Sequence, residues 1–159
     1  MRPLLLALAP LVAAACGQPF WTPRPEPAFP QPVLAGHVTS IALHHTGCLG
    51  TCPAWSFRLT RTGVAYYRGA AFSPILGDYE APLDRAQFTE LADRLVRHGF
   101  FAMPASSPCL LHVPRTILTA AIDDTVKVVE SCGRGAPERF YDLTDAVENV
   151  ASRLPWHIR

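Results

Sequence analysis

Residues 54–69 read Ala54-Trp55-Ser56-Phe57-Arg58-Leu59-Thr60-Arg61-Thr62-Gly63-Val64-Ala65-Tyr66-Tyr67-Arg68-Gly69. Trp55, Phe57 and Leu59 fall on one side of an extended chain, with Ser56, Arg58 and Thr60 on the other. That alternation marks a strand buried on one face only. Arg61-Thr62-Gly63 is a short turn in which glycine supplies a positive φ, and Val64 to Gly69 is the returning strand.

Outward from this hairpin, His37 to His45 alternates more weakly, with Ile41 and Leu43 on one face, and Leu76 to Ala81 gives a fourth strand. The period then changes. Asp84 is placed to cap a helix, with Gln87 as its reciprocal partner and Leu83 stapled against Phe88. Phe88, Leu91, Leu95 and Val96 form the buried stripe, Gly99 stops the helix, and Phe100, Phe101 and Met103 extend the core.

Thr116 to Asp123 and Val126 to Ser131 make a second hairpin. A loop of Asp123-Asp124-Thr125 sets Ile122 opposite Val126 and Ala120 opposite Val128, so that the apolar residues share a face. A two-residue loop sets Ile122 against Thr125 or Lys127 and mixes the faces. Pro137 suits the first turn of a last helix, whose face is Phe140, Leu143, Val147, Ala151 and Leu154, with Trp156 closing the chain. The expected fold is α+β: an antiparallel sheet of two hairpins and five or six strands, packed by two helices in the order ββββαββα.

The start of the chain reads differently. Met1-Arg2-Pro3 precedes an apolar run from Leu4 to Ala15, too short for a permanent span, which needs about 20 residues. A basic start, a short apolar region and small residues describe an export signal. Val12-Ala13-Ala14-Ala15-Cys16 resembles a bacterial lipobox, after whose cleavage Cys16 carries the lipid; an ordinary signal-peptidase site and an uncleaved anchor are the alternatives. Gly17 then resembles a residue that permits transport to the outer membrane of a Gram-negative cell. Six prolines between Gly17 and Pro32 disfavour helix and sheet and favour an extended arm. The expected division is a signal peptide at 1–15, a lipidation site and Pro-rich tether at 16–36, and one domain at 37–159.

The chain holds 14 Lys+Arg against 13 Asp+Glu, and Arg2 lies in the leader, so the mature chain is formally neutral. With no basic run, nucleic acid is not an expected partner.

Chemistry concentrates in Thr46-Gly47-Cys48-Leu49-Gly50-Thr51-Cys52-Pro53, which follows His44-His45. Two cysteines four apart in a glycine-bearing turn can meet the α-carbon separation a disulfide needs. His44, His45, Cys48 and Cys52 alternatively offer nitrogen and sulfur ligands for zinc or copper. Strand alternation, however, directs the two histidines to opposite faces. The Cys-x3-Cys spacing departs from the Cys-x2-Cys of thioredoxin-like sites. With Cys16 lipidated, Cys48, Cys52, Cys109 and Cys132 remain. Four cysteines allow three connectivities, and Cys48–Cys52 with Cys109–Cys132 is the expected one. No catalytic residue and no cofactor are expected. Ser106-Ser107, His112 and Asp123-Asp124 lack the nucleophile elbow of a hydrolase. Gly133-Arg134-Gly135 is not a phosphate loop. Asp78, Glu80 and Asp84 read as a solvated grouping before a helix, and His98 as a residue suited to a helix C-terminus.

In order and motif, residues 38–157 resemble a bacterial family of exported domains of unknown function. The resemblance is carried by Cys48-Leu49-Gly50-Thr51-Cys52-Pro53, Gly99-Phe100-Phe101 and Leu154-Pro155-Trp156. The chain departs from it at His44-His45, where the family more often has an arginine, and at Leu111-His112-Val113-Pro114, where an aspartate commonly precedes the proline. The resemblance implies the fold order and an exported location, and no site residues. The leading expectation is a lipid-anchored, non-enzymatic envelope module with a protein or cell-wall partner. The alternative is a periplasmic metal- or thiol-handling protein.

Overall fold

The computed structural model describes residues 28–29, 32–105, 109, 112–133 and 135–159. Its elements are β1 (Val38–His45), β2 (Trp55–Thr60), β3 (Val64–Gly69), β4 (Gly77–Pro82), α1 (Arg85–Arg97), β5 (Arg115–Ile122), β6 (Thr125–Cys132), α2 (Glu138–Ala151) and β7 (His157–Ile158). The strands form one antiparallel sheet in the order β6-β5-β1-β2-β3-β4-β7. The weakly alternating segment is therefore an interior strand, bonded to β2 on one side and, after the passage through α1, to β5 on the other.

The sheet has seven strands rather than five or six. The additional one is β7, which pairs Ile158 with Tyr79 and His157 with Glu80 on the free edge of β4. Two residues are too few for an alternation to be read.

Only one face of the sheet is covered. Ile41, Leu43, Leu59, Ala65, Leu118, Ala120, Ile122 and Val129 are buried in one cluster with Phe88, Leu91 and Leu95 of α1 and Phe140, Leu143 and Val147 of α2. Asp84 accepts a hydrogen bond from the Ala86 amide at 2.9 Å and starts α1, and Gly99, at φ 66°, turns the chain out of it. Phe29, Val33 and Ala35 pack against the same core, with the Phe29 ring 5.1 Å from that of Phe101. Phe29, within the proline-rich stretch, is thus docked on the domain. Phe20, Trp21, the leader and Cys16 lie outside the described residues.

The second hairpin adopts the register that the sequence reading set aside. Ile122 faces Thr125, Ala120 faces Lys127 and Leu118 faces Val129, so the loop is only Asp123-Asp124, with Asp123 at φ 49°. Either register turns one charged residue of β6 inward. A three-residue loop would send Glu130 there with Val126 and Val128. The observed register sends Lys127, whose long apolar stem tolerates burial better than a short carboxylate. Lys127 is 1% exposed, and burial lowers the pKa of its ammonium from the ordinary value. Glu130 is left on the other face, 3.1 Å from Arg115. Val126 and Val128 remain exposed.

Candidate functional site

Since residues alternate along each strand, the uncovered face is built from the side chains not used in the core. Strand register sets them in two rows. One runs Thr119, Ala42, Arg58, Tyr66, Glu80 and His157, and the other Ile117, His44, Ser56, Arg68 and Asp78. Ala42 and Ser56 are small, while Arg58, Tyr66 and Arg68 beside them are large. The resulting difference in height leaves a depression of about 450 Å³, bordered also by His44, Thr119 and Arg159.

The charges in it are unevenly partnered. Arg68 grips Asp78 with two hydrogen bonds, Nε–Oδ1 at 2.6 Å and Nη2–Oδ2 at 3.2 Å. The hydrogen bond from Arg68 lowers the Asp78 pKa from its ordinary value of 3.8, against an opposing effect of desolvation, with the charges of Arg68 and Arg159 adding to the lowering. Glu80 is approached by His157 at 3.6 Å and Arg159 at 3.8 Å. Arg58 has no ion pair among the described residues. Its guanidinium lies over the Tyr66 ring at 4.7 Å, and that of Arg159 lies over the same ring at 5.4 Å. Asp78 and Glu80 therefore take part in ion pairs on this face, and only Asp84 caps a helix, which corrects the reading of all three as a solvated capping group.

The two expected histidines part company. His44 is exposed on the open face and lines the depression. His45 points to the helix side, where its Nε2 is 3.2 Å from Glu148 Oε1 and its ring is 4.3 Å from Trp55. Cys48 and Cys52 are joined to each other, with α-carbons 5.5 Å apart, and Cys109 is joined to Cys132 at 5.6 Å. His44, His45, Cys48 and Cys52 consequently do not converge on one point. Among the described residues, one group of metal-ligand types does fall within 4.8 Å, Cys109, Glu130 and Cys132, but its two sulfurs are spent on their mutual bond.

The remaining candidates disperse. His112 and Asp123 stand beyond opposite ends of β5, whose eight residues span about 26 Å at roughly 3.3 Å each. Ser106, Ser107 and Arg134 lie outside the described residues. His98 occupies the C-terminal cap of α1.

Trp156 ends an aromatic chain on the helix side. Its ring is 5.8 Å from both Phe57 and Tyr67, and its Nε1 donates to the Ala151 carbonyl at 2.9 Å. A shallower apolar pocket of about 230 Å³ opens there between Trp55, Phe57, Ile75 and Trp156. The polar members of the open face had one legible signal, the Ser56-Arg58-Thr60 side of the first strand; their assembly with Tyr66, Asp78 and Arg159 depends on register. A family model described as "Domain of unknown function (DUF6438)" matches residues 39–151. No curated protein matches the sequence.

Proposed function

From the premise that the chain belongs to the DUF6438 family, we propose that it is a binding module of the bacterial cell envelope, tethered through a lipid on Cys16, and that it engages its partner with the open face of its sheet. The observation that carries this reading is the one-sided cover. Both helices pack on the same face, and the other presents a 450 Å³ depression bordered by arginine, tyrosine, histidine and hydroxyl side chains. A sheet face built only for solubility has no need of a tyrosine flanked by two guanidinium groups; tyrosine and arginine are the residues that dominate recognition surfaces.

Location is part of the same proposal. The lipobox-like Val12 to Cys16 and the permissive Gly17 support attachment to the outer membrane, with the domain facing the periplasm. Two disulfides suit that oxidising space. The partner is an envelope protein or the cell wall. The role is non-enzymatic: the Asp78 and Glu80 carboxylates are engaged by Arg68, His157 and Arg159, and the cross-strand neighbours Ser56 and His44 share no hydrogen bond that would activate the hydroxyl.

The test is photo-cross-linking in intact cells. A photoreactive residue replacing Thr119, on the open face, is expected to give one dominant adduct that disappears when Arg58→Glu is added. The same residue replacing Thr89, on the exposed side of α1, is expected to give none. Equal adducts from both positions, or an adduct indifferent to Arg58→Glu, would remove the open face as the recognition surface.

A further inference from the structure

Resting on the open face as the binding surface, one feature narrows the ligand. Three guanidinium groups, those of Arg58, Arg68 and Arg159, meet two carboxylates, Asp78 and Glu80, and both carboxylates are engaged elsewhere, by Arg68 and by His157 with Arg159. The open face thus holds a local positive excess centred on Arg58. Stacking on Tyr66 fixes the plane of that guanidinium while leaving its N–H edge available, the arrangement that suits two-pronged recognition of an oxyanion. Opposite Arg58 on β1 stands Ala42, which cannot fill the space beside it. Around that gap, the Ser56 and Thr119 hydroxyls and the His44 ring make no hydrogen bond among the described residues and line the same depression. Asp78 lies three strands away from Ala42, at the far side of the depression, where its carboxylate is held by Arg68; the residues next to the gap are donors.

We propose that this gap is an oxyanion-binding site, in which Arg58 grips a carboxylate or phosphate group, Ser56, Thr119 and His44 add hydrogen bonds, and Arg159 holds Tyr66 from its other contact. The ligand is a molecule presenting such a group at an accessible end: a carboxylate-terminated peptide or organic acid, or a phosphate ester. Arg58 is a direct ligand; Tyr66 and Arg68 position it, one by stacking and the other by keeping Asp78 occupied.

The experiment is a titration of the full-length chain in detergent micelles, followed by the NMR signals of the arginine Nε–Hε groups. Succinate, inorganic phosphate and sodium chloride are compared at matched ionic strength. Succinate, phosphate or both are expected to move the Arg58 signal saturably, and chloride is not. A response to succinate alone assigns a carboxylate ligand, to phosphate alone a phosphate ester, and to both a site that reads the shared oxyanion. Arg58→Gln should weaken the affinity at least tenfold, read from the Thr119 and Ser56 amides. Arg58→Lys should fall in between, since it keeps the charge and loses the planar fork. Arg139→Gln, on the exposed start of α2, should change nothing. Shifts that chloride reproduces, no saturation with either anion, or equal affinity in Arg58→Gln would overturn the assignment. Failure here alongside a surviving Thr119 cross-link would leave the open face as the binding surface with a different ligand chemistry.

Discussion

Arg68 and Asp78 show how a single exposed pair shapes the open face without adding much to stability. Because the pair is exposed, its worth to folding is small. Its signature is the titration of Asp78, whose folded pKa is depressed. Such a group favours the native state above the ordinary carboxylate range, and that contribution is lost as pH falls through the lowered folded value. The Asp78 carboxyl carbon should therefore titrate below 3.8 by NMR, and Arg68→Gln should return its midpoint upward. An unchanged midpoint would mean that the pair does not form. Tyr141 is the opposite case, a hydroxyl that serves structure. It meets Ser131 Oγ at 2.9 Å, donates to the Gly133 carbonyl at 2.8 Å and receives the Ala136 amide at 3.2 Å. Removing it strands partners in a partly buried place, so Tyr141→Phe is expected to lower stability by about 1–3 kcal/mol in urea denaturation. Ser131 faces the helix side only in the observed register of β6, which ties this residue to the element that holds it.

That register is where sequence reading and structure diverge most. The first hairpin was legible because every odd residue from Trp55 to Leu59 is apolar and every even one polar, leaving a single phase. In Thr125-Val126-Lys127-Val128-Val129-Glu130 both phases carry valine and both carry a charge. The choice then rests on which charged side chain has the stem to lie inside and which has a partner outside, and Arg115 as partner to Glu130 is a tertiary fact. The helices were legible from Asp84, Gly99 and their apolar stripes, while β7 was too short to announce itself. The candidate site was legible only in part: the first hairpin alone sets Arg58 beside Tyr66, while Ala42, Thr119 and Asp78 join them through the pairing of β1, β5 and β4 with it. The register has a direct test. Val129→Ala should cost about 2 kcal/mol, from lost burial and the cavity left behind, and Val128→Ala should stay within about 0.5 kcal/mol; the reverse ranking would restore the three-residue loop. At the far end of β3, the carbonyl of Ile75 would stand 1.7 Å from a β-carbon added to Gly69. Gly69→Ala should accordingly force the connection to β4 apart, seen as loss of protection from hydrogen exchange at Ser73, whose amide donates to the Ala70 carbonyl within this loop, and at Ala70, whose amide donates to the Ala54 carbonyl.

At the scale of the whole molecule, the two cross-links and the proposed lipid tether point to one physical setting. The Cys109–Cys132 bond closes a separation of 23 residues and the Cys48–Cys52 bond one of 4. In the chain-entropy view they contribute about 3 and about 2 kcal/mol respectively, so replacing the first pair by serine should lower the melting temperature more than replacing the second. The long closure joins β6, at one edge of the sheet, to the segment leading into β5. The short one stiffens the connection between β1 and β2, beside His44. The two bonds suit an oxidising compartment, and the proposal adds that the chain is held there through Cys16. The direct measurement is an intact-mass spectrum of the protein isolated from cell membranes without reductant. The expected mass lacks residues 1–15, carries an acylated Cys16 and is four hydrogens lighter than the reduced chain, two for each bond. A product that retains Met1 through Ala15 with all its thiols reduced would contradict export, anchoring and cross-linking together.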